Sequence, residues 1–538
     1  MDYLQYSNDG KKIIGVSSRF ITYVEIPYGV TEIGSFAFHA CTTLKTVIIP
    51  NSVIRIGSYS FEGCESLKSV EIPDSVTTIG DEAFNGCKNL ESVVIPNSVT
   101  AIGFGAFGYC RSLYNIEIPE SVHEVGEYAL GEYTGWYNKQ NNGPVYINDI
   151  IFKIKGICPE TIIIREGTKT ISDGAFAYCS TLQNLVMPNS LEKIGSGAFR
   201  GCKSLKSIIL PDNIKEIGYC AFSGCTSLEE IVFPKDVTME IGGKSFNNTK
   251  WLNDQEDGEV YINDVLYKFK GSAKKSTCVV KEGTKSIAPF AFDGCKDIQE
   301  IVIPECVAEI GDWAFCCCSN LKHISIPNSV KKINCGTFQK CTSLEAVDIP
   351  YSVKLIEKDA FEGCTSLAII DIPSSVQEIG SKAFANCTSL FSIDLPNSIK
   401  IVGQEAFDNT KWYNDLSDGV VYLNKVLYKS KGDFKDIQLS IKDGTICIAD
   451  CALESKNSIN EIFLPNSLMY FGKFCLIGCK LLNTIHSHIL KPEDIYFEEA
   501  FDFSFLYRYT LLVPEGTRWS YRHHPVFGQF STIETEGM

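Results

Sequence analysis

A 23-residue pattern recurs along this 538-residue chain and limits its possible folds more than composition does. One copy runs Cys64-Glu65-Ser66-Leu67-Lys68-Ser69-Val70-Glu71-Ile72-Pro73-Asp74-Ser75-Val76-Thr77-Thr78-Ile79-Gly80 and closes on Asp81-Glu82-Ala83-Phe84. The phenylalanine returns at Phe38, Phe61, Phe84 and Phe107, then at Phe176, Phe199, Phe222 and Phe246. It recurs again at Phe292, Phe315, Phe338, Phe361, Phe384 and Phe407. Self-similarity at a fixed period of this size is the signature of a solenoid. Stacked units share one core, so the chain is expected to form one continuous array rather than three or four domains. A solenoid offers surface rather than a buried pocket, which points to binding.

Within one copy, Val70 to Ile72 alternates apolar and polar, the pattern of a half-buried strand. Pro73 ends it, because proline has no N–H to give to a ladder. A turn follows at Asp74-Ser75, and Val76 and Ile79 bracket a second short extended stretch that stops at Gly80. The segment Asp81 to Cys87 is read as one short helical turn, with Ala83, Phe84 and Cys87 facing inward.

The interruptions keep phase. Leu130 to Phe176, Phe246 to Phe292 and Phe407 to Leu453 are each 46 residues, two periods. They carry matching modules: Trp136-Tyr137-Asn138 before Val145 to Lys153, Trp251-Leu252-Asn253 before Val260 to Lys268, and Trp412-Tyr413-Asn414 before Val421 to Lys429. Aromatic-rich strands around an Asn-Asp or Asn-Lys pair predict tight hairpins. A shorter relative, Tyr6 and Ile13-Ile14 around Asn8-Asp9-Gly10, opens the chain. The expected organisation is an N-terminal capping hairpin over 1–20 and a solenoid over 21–483. Hairpin modules fall near 131–165, 247–281 and 408–442. A C-terminal cap over 484–538 begins where the pattern fades at Thr484.

The balance of 49 basic against 65 acidic residues, a net charge of −16, argues against nucleic acid, whose phosphates need a basic stripe. No run of about 18 apolar residues predicts a membrane span. Met1 to Tyr6 shows no basic segment followed by an apolar one, so no secretory signal is read there. Of the 23 cysteines, thirteen keep the register: Cys41, Cys64, Cys87, Cys110, Cys179, Cys202, Cys225, Cys295, Cys318, Cys341, Cys364, Cys387 and Cys479. Rungs about 4.8 Å apart lie within disulfide reach, but ladder side chains point in parallel rather than at each other. Buried free thiols acting as small hydrophobes are the favoured reading, with some disulfides as the alternative. Free thiols in this number fit a reducing compartment.

Cys-x-x-Leu-x-x-Val-x-Ile-Pro followed by Ser-Val-x-x-Ile-Gly-x-x-Ala-Phe resembles the BspA-type leucine-rich repeat, also called the Treponema class, of gut and oral bacteria. The resemblance runs from about Ile21 to Cys479, and Leu511-Leu512-Val513-Pro514-Glu515-Gly516-Thr517 is similar to the closing segment of such proteins. It implies a right-handed, curved leucine-rich-repeat solenoid of short parallel strands. It also implies a non-enzymatic surface protein or adhesin that binds host or microbial proteins. Localisation therefore stays open between the cell surface, from the resemblance, and the cytoplasm, from the missing signal segment and the thiols.

The resemblance places the outward residue of each first strand on the concave face. Val186, Ile209 and Val232 form an apolar stripe there, read either as strand propensity or as a contact patch. Asp348, Asp371 and Asp394 form an acidic column, to be offset by solvent, a lysine or a cation. Trp136, Trp251 and Trp412 either pack the hairpins or offer an aromatic surface for protein or glycan. No zinc spacing such as His-Glu-x-x-His, phosphate loop or catalytic motif occurs. Cys316-Cys317-Cys318 near His323 invites a metal reading, but Cys318 is a ladder position and the others are taken as incidental thiols. The expectation is a protein-binding scaffold without cofactor or metal. Glycan binding and a structural spacer are the alternatives.

Overall fold

The computed structural model describes residues 3–7, 10–235, 237–272, 276–432, 437–497, 500–501, 509–524 and 526–536. They pack as two compact units, Met1–Gln255 and Glu256–Met538. In both, a typical coil supplies a three-residue and a two-residue strand. Ser69–Glu71 pairs in parallel with Ser92–Val94, and Thr78–Ile79 pairs with Ala101–Ile102, one period apart. Buried Val70 lies between exposed Ser69 and Glu71, so alternation along the strand sends one side chain to the core and two to solvent.

The core is a column of rings. Phe38, Phe61, Phe84 and Phe107 stack at centroid spacings of 5.0, 5.2 and 5.4 Å. In the second unit Phe338, Phe361, Phe384 and Phe407 stack at 5.2, 5.1 and 5.3 Å. Small side chains stitch the coils together. Ser98 Oγ donates to the Val76 carbonyl at 2.7 Å and Ser375 Oγ to Val353 at 2.7 Å, which explains the serine before many of these valines.

All 23 cysteines are free thiols, as the ladder reading expected. Cys64 Sγ donates to the Phe38 carbonyl at 3.3 Å, Cys87 to Phe61 at 3.3 Å and Cys364 to Phe338 at 3.1 Å. The rung is thus a small hydrophobe that also occupies a buried carbonyl. Burial pushes the Cys364 and Cys318 thiols well above their ordinary range, so neither holds a reactive thiolate near neutrality. Differential alkylation read by mass spectrometry should label exposed Cys306 at once, and Cys64, Cys318 and Cys364 only after unfolding. Labelling of native Cys364 at the Cys306 rate would contradict the thiol ladder.

The segment expected to be a helical turn is not one. Tyr59 and Gly63 take left-handed φ of 58° and 70°. Tyr59, Phe61 and Gly63 donate their N–H groups to Asp81, Ala83 and Asn85 of the next coil at 2.7–2.8 Å. A helix would keep these donors to itself, whereas here they join neighbouring coils and form a third bonded face.

The hairpins are built as expected. Gly143–Ile147 pairs antiparallel with Ile150–Lys155, Gly258–Ile262 with Val265–Lys270, and Gly419–Leu423 with Val426–Lys431. Asn148, Asn263 and Asn424 turn them at left-handed φ of 51°, 52° and 49°. Each second strand then runs parallel to a two-residue strand of the following coil, as in Ile150↔Thr170, so the hairpin keeps the phase. The opening strands Leu4–Tyr6 and Lys12–Val16 repeat this order, although Asn8 and Asp9 lie outside the described residues. At the other end the sequence pattern fades but the sheet continues, through Thr484–Ser487, Thr510–Val513 and Thr532–Thr535 in parallel register. Buried Tyr521 closes this end, its hydroxyl donating to the Ile489 carbonyl at 2.9 Å. Among the described residues no helix is long and apolar enough to cross a membrane.

Candidate functional site

The residues that vary from coil to coil sit on the first strands, where the third residue of each strand points outward. In the first unit the column begins with Glu25, Ile48, Glu71, Val94 and Glu117. Beyond the hairpin it becomes wholly apolar. Ile163 is 71% exposed, Val186 52%, Ile209 69% and Val232 44%. Ile163 stands in register with Val186, and Ile209 with Val232. The parallel column beside them is Thr161, Asn184, Ser207 and Glu230.

The structure thus lengthens the stripe expected from Val186, Ile209 and Val232 by one coil. Ile163 escapes a motif search because its coil follows a hairpin and lacks the Cys-x-x-Leu lead-in. The β-branched run Thr161-Ile162-Ile163-Ile164 before Gly167 was the available signal. Val279 in the second unit was missed for the same reason. It is 64% exposed and in register with Val302, 44% exposed.

The second-unit column then turns polar through Ser325, Asp348, Asp371 and Asp394. Ser325 pairs in register with Asp348, and Asp371 with Asp394. Asp348 and Asp394 are offset by neighbours other than the lysine or cation expected from the sequence. His323 Nε2 lies 3.0 Å from Asp348 Oδ2, and Asn424 Nδ2, from the tip of the third hairpin, donates to Asp394 Oδ1 at 2.6 Å.

The three tryptophans are half-buried on short helices that precede the hairpins: α1 (Gly135–Lys139), α2 (Lys250–Asn253) and α3 (Lys411–Asp415). Thr134, Thr249 and Thr410 cap these helices, each Oγ1 accepting an N–H three residues on at 3.1–3.2 Å. Trp251 packs on Phe233 and Phe246 at 5.5 and 5.4 Å. Trp412 packs on Phe407 and Tyr428 at 6.3 and 6.2 Å, and Trp136 leans on the first unit's core.

Among the described residues, one group of three carboxylate, thiol or imidazole side chains brings its ligand atoms together, and it is not the aspartate column. Asp293, Cys316 and Cys317 place their donor atoms within 4.8 Å of one another. Cys318 points away, its Sγ donating to the Phe292 carbonyl at 3.1 Å, and His323 is held by Asp348. Burial, helped by the neighbouring Cys317, pushes the Cys316 thiol up to about 12.

Parallel strands one period apart, with a core of stacked rings and variable outward columns, define a β-solenoid of the leucine-rich-repeat class. The sequence profile of the BspA type leucine rich repeat region matches in six copies, over residues 17–134, 146–256, 262–390, 337–430, 356–482 and 421–511. The chain belongs to the BspA-type leucine-rich repeat family. It is similar to a leucine-rich repeat protein from Bacteroides ovatus, with 29% identity over 76% of this chain and 91% of that one and a TM-score of 0.29. A leucine rich cell surface protein from Faecalibacterium prausnitzii is 27% identical over 72% of this chain and 91% of that one, with a TM-score of 0.28. A leucine rich repeat protein of Treponema pallidum is 25% identical over 47% and 89%, with a TM-score of 0.19. A search of curated proteins found no match.

Proposed function

We propose that the chain is a protein-binding scaffold and that its first unit docks a partner on the stripe Ile163, Val186, Ile209 and Val232. The observation that carries this reading is that four successive coils each leave an isoleucine or valine 44–71% exposed in one line. Strand propensity alone favours branched residues at such a place, but the coils of Glu25, Glu71 and Glu117 tolerate charge there. Covering the exposed part of each apolar side chain is worth roughly 1 kcal/mol, which suits a hot-spot row inside a polar rim. Protein is preferred to glycan as the ligand because Trp251 and Trp412 already give ring surface to their own aromatic neighbours.

A photo-crosslinking residue at position 209 should trap a partner that the same residue at position 71 does not. The double variant Val186→Glu/Ile209→Glu should then bind that partner at least about tenfold more weakly, the order expected when a central hot spot is lost. Equal trapping from both positions, or unchanged affinity, refutes the stripe. A glycan bound by the wild type and lost in the triple variant Trp136→Ala/Trp251→Ala/Trp412→Ala would move the function to the hairpin modules.

A further inference from the structure

We propose that Asp293, Cys316 and Cys317 form a binding site for a soft divalent cation of the zinc class. The two sulfurs lie 3.5 Å apart and the carboxylate joins them within 4.8 Å. Tetrahedral zinc with Zn–S bonds of about 2.3 Å sets two thiolates about 3.8 Å apart, so closure needs only a small side-chain adjustment. A two-thiolate, one-carboxylate set leaves a fourth position for water, or for the Gln339 amide oxygen, which lies 3.8 Å from Cys316 Sγ. Gln339 Nε2 donates to Glu362 Oε2 at 2.6 Å, which turns that oxygen towards the thiols. This is the way an outer partner orients a ligand.

The register of these residues supports the same reading. Cys317 takes a left-handed φ of 59°, at a place that Gly294 fills in the preceding coil and Lys340, also at 59°, fills in the next. Cys316, Asp293 and Gln339 occupy one register column, directly after the ladder phenylalanine, and that column carries Ala177 and Ala385 elsewhere. Nothing in the stack requires thiols here, since Cys318 fills the buried rung. Binding would convert both thiols to thiolates and release their protons.

The test is a titration of reduced, metal-free, full-length protein with Cd²⁺, followed by thiolate-to-cadmium absorption and with Zn²⁺ as competitor. One equivalent should bind, with Zn²⁺ displacing it. Cys316→Ala/Cys317→Gly should abolish the band, and Asp293→Ala should weaken binding at least about tenfold. These substitutions install residues that other coils already carry, and an unchanged circular dichroism spectrum confirms the fold. No band in the wild type, or an equal band in the double variant from surface thiols such as Cys306, overturns the site.

Discussion

Phe361→Ala is expected to cost about 3–5 kcal/mol, the range for deleting a fully buried aromatic ring. Phe361 has no exposed surface and lies between Phe338 and Phe384 at 5.2 and 5.1 Å. Collapse around the hole is blocked from both sides. Phe338 N–H donates to the Ala360 carbonyl at 2.8 Å and Phe361 N–H to Ala383 at 2.7 Å, so closing the gap would break the ladders that set coil spacing. Two stacked ring contacts vanish as well, each worth about 0.5–1.5 kcal/mol beyond area burial. Phe361→Leu should cost far less, because Leu130 and Leu453 fill the equivalent place in coils beside the hairpins. Long arrays unfold in parts, so the measurement is native-state hydrogen exchange at the amides of Phe338, Phe361 and Phe384. Protection that survives Phe361→Ala would show that the ring column is not what holds the coils.

The second large effect is expected at a glycine. A β-carbon on Gly218 would meet Ser196 N at 2.5 Å and Gly195 C at 2.6 Å, both backbone atoms of the preceding coil. Gly218→Val should cost about 3 kcal/mol and Gly218→Ala somewhat less, the scale of overpacking against atoms that cannot rotate away. Gly224 serves as the control, with a left-handed φ of 76° and its nearest atoms at 3.7 Å. There alanine pays only the left-handed penalty of about 1–2 kcal/mol. Asn334 occupies the Gly218 position in another coil, where its Nδ2 donates to the Ile310 carbonyl at 2.6 Å. A side chain is thus admitted where a coil is built around it, not by simple substitution. Urea unfolding of the variants ranks them, and a Gly224 variant worse than Gly218→Val would refute the close-approach argument.

The strands and their faces were legible because burial alternates along them. Val70 between Ser69 and Glu71 reads the same in sequence and in structure. The turn face was not legible. Asp81 to Gly86 has the residues of a helical turn, yet Glu82, Phe84 and Gly86 donate N–H groups to Phe104, Ala106 and Gly108 of the next coil at 2.6–2.8 Å. Bonds between coils override local preference there, and the only sequence trace is the glycine that recurs two residues after many ladder phenylalanines. The variable columns follow from arithmetic once the period is known. Ile163 and Val279 were lost only because their coils lack the cysteine lead-in. Asp293 was lost for a different reason. Its nearness to Cys316 lies one period away along the chain, and the run of three cysteines draws attention to local spacing instead.

The serine, cysteine and backbone bonds between coils share a property that reaches beyond stability. Ser375 finds its acceptor 22 residues back, Cys364 finds its acceptor 26 back, and ring stacks on ring at 23. Inside an array these partners are thus supplied by the adjoining coil. Gain or loss of one whole repeat leaves each donor facing an acceptor of the same kind, whereas a fragment of a repeat turns buried faces outward. Such a chain can change length over evolutionary time in steps of one coil without redesigning its interior. Each added coil also brings two fresh outward positions for selection to act on.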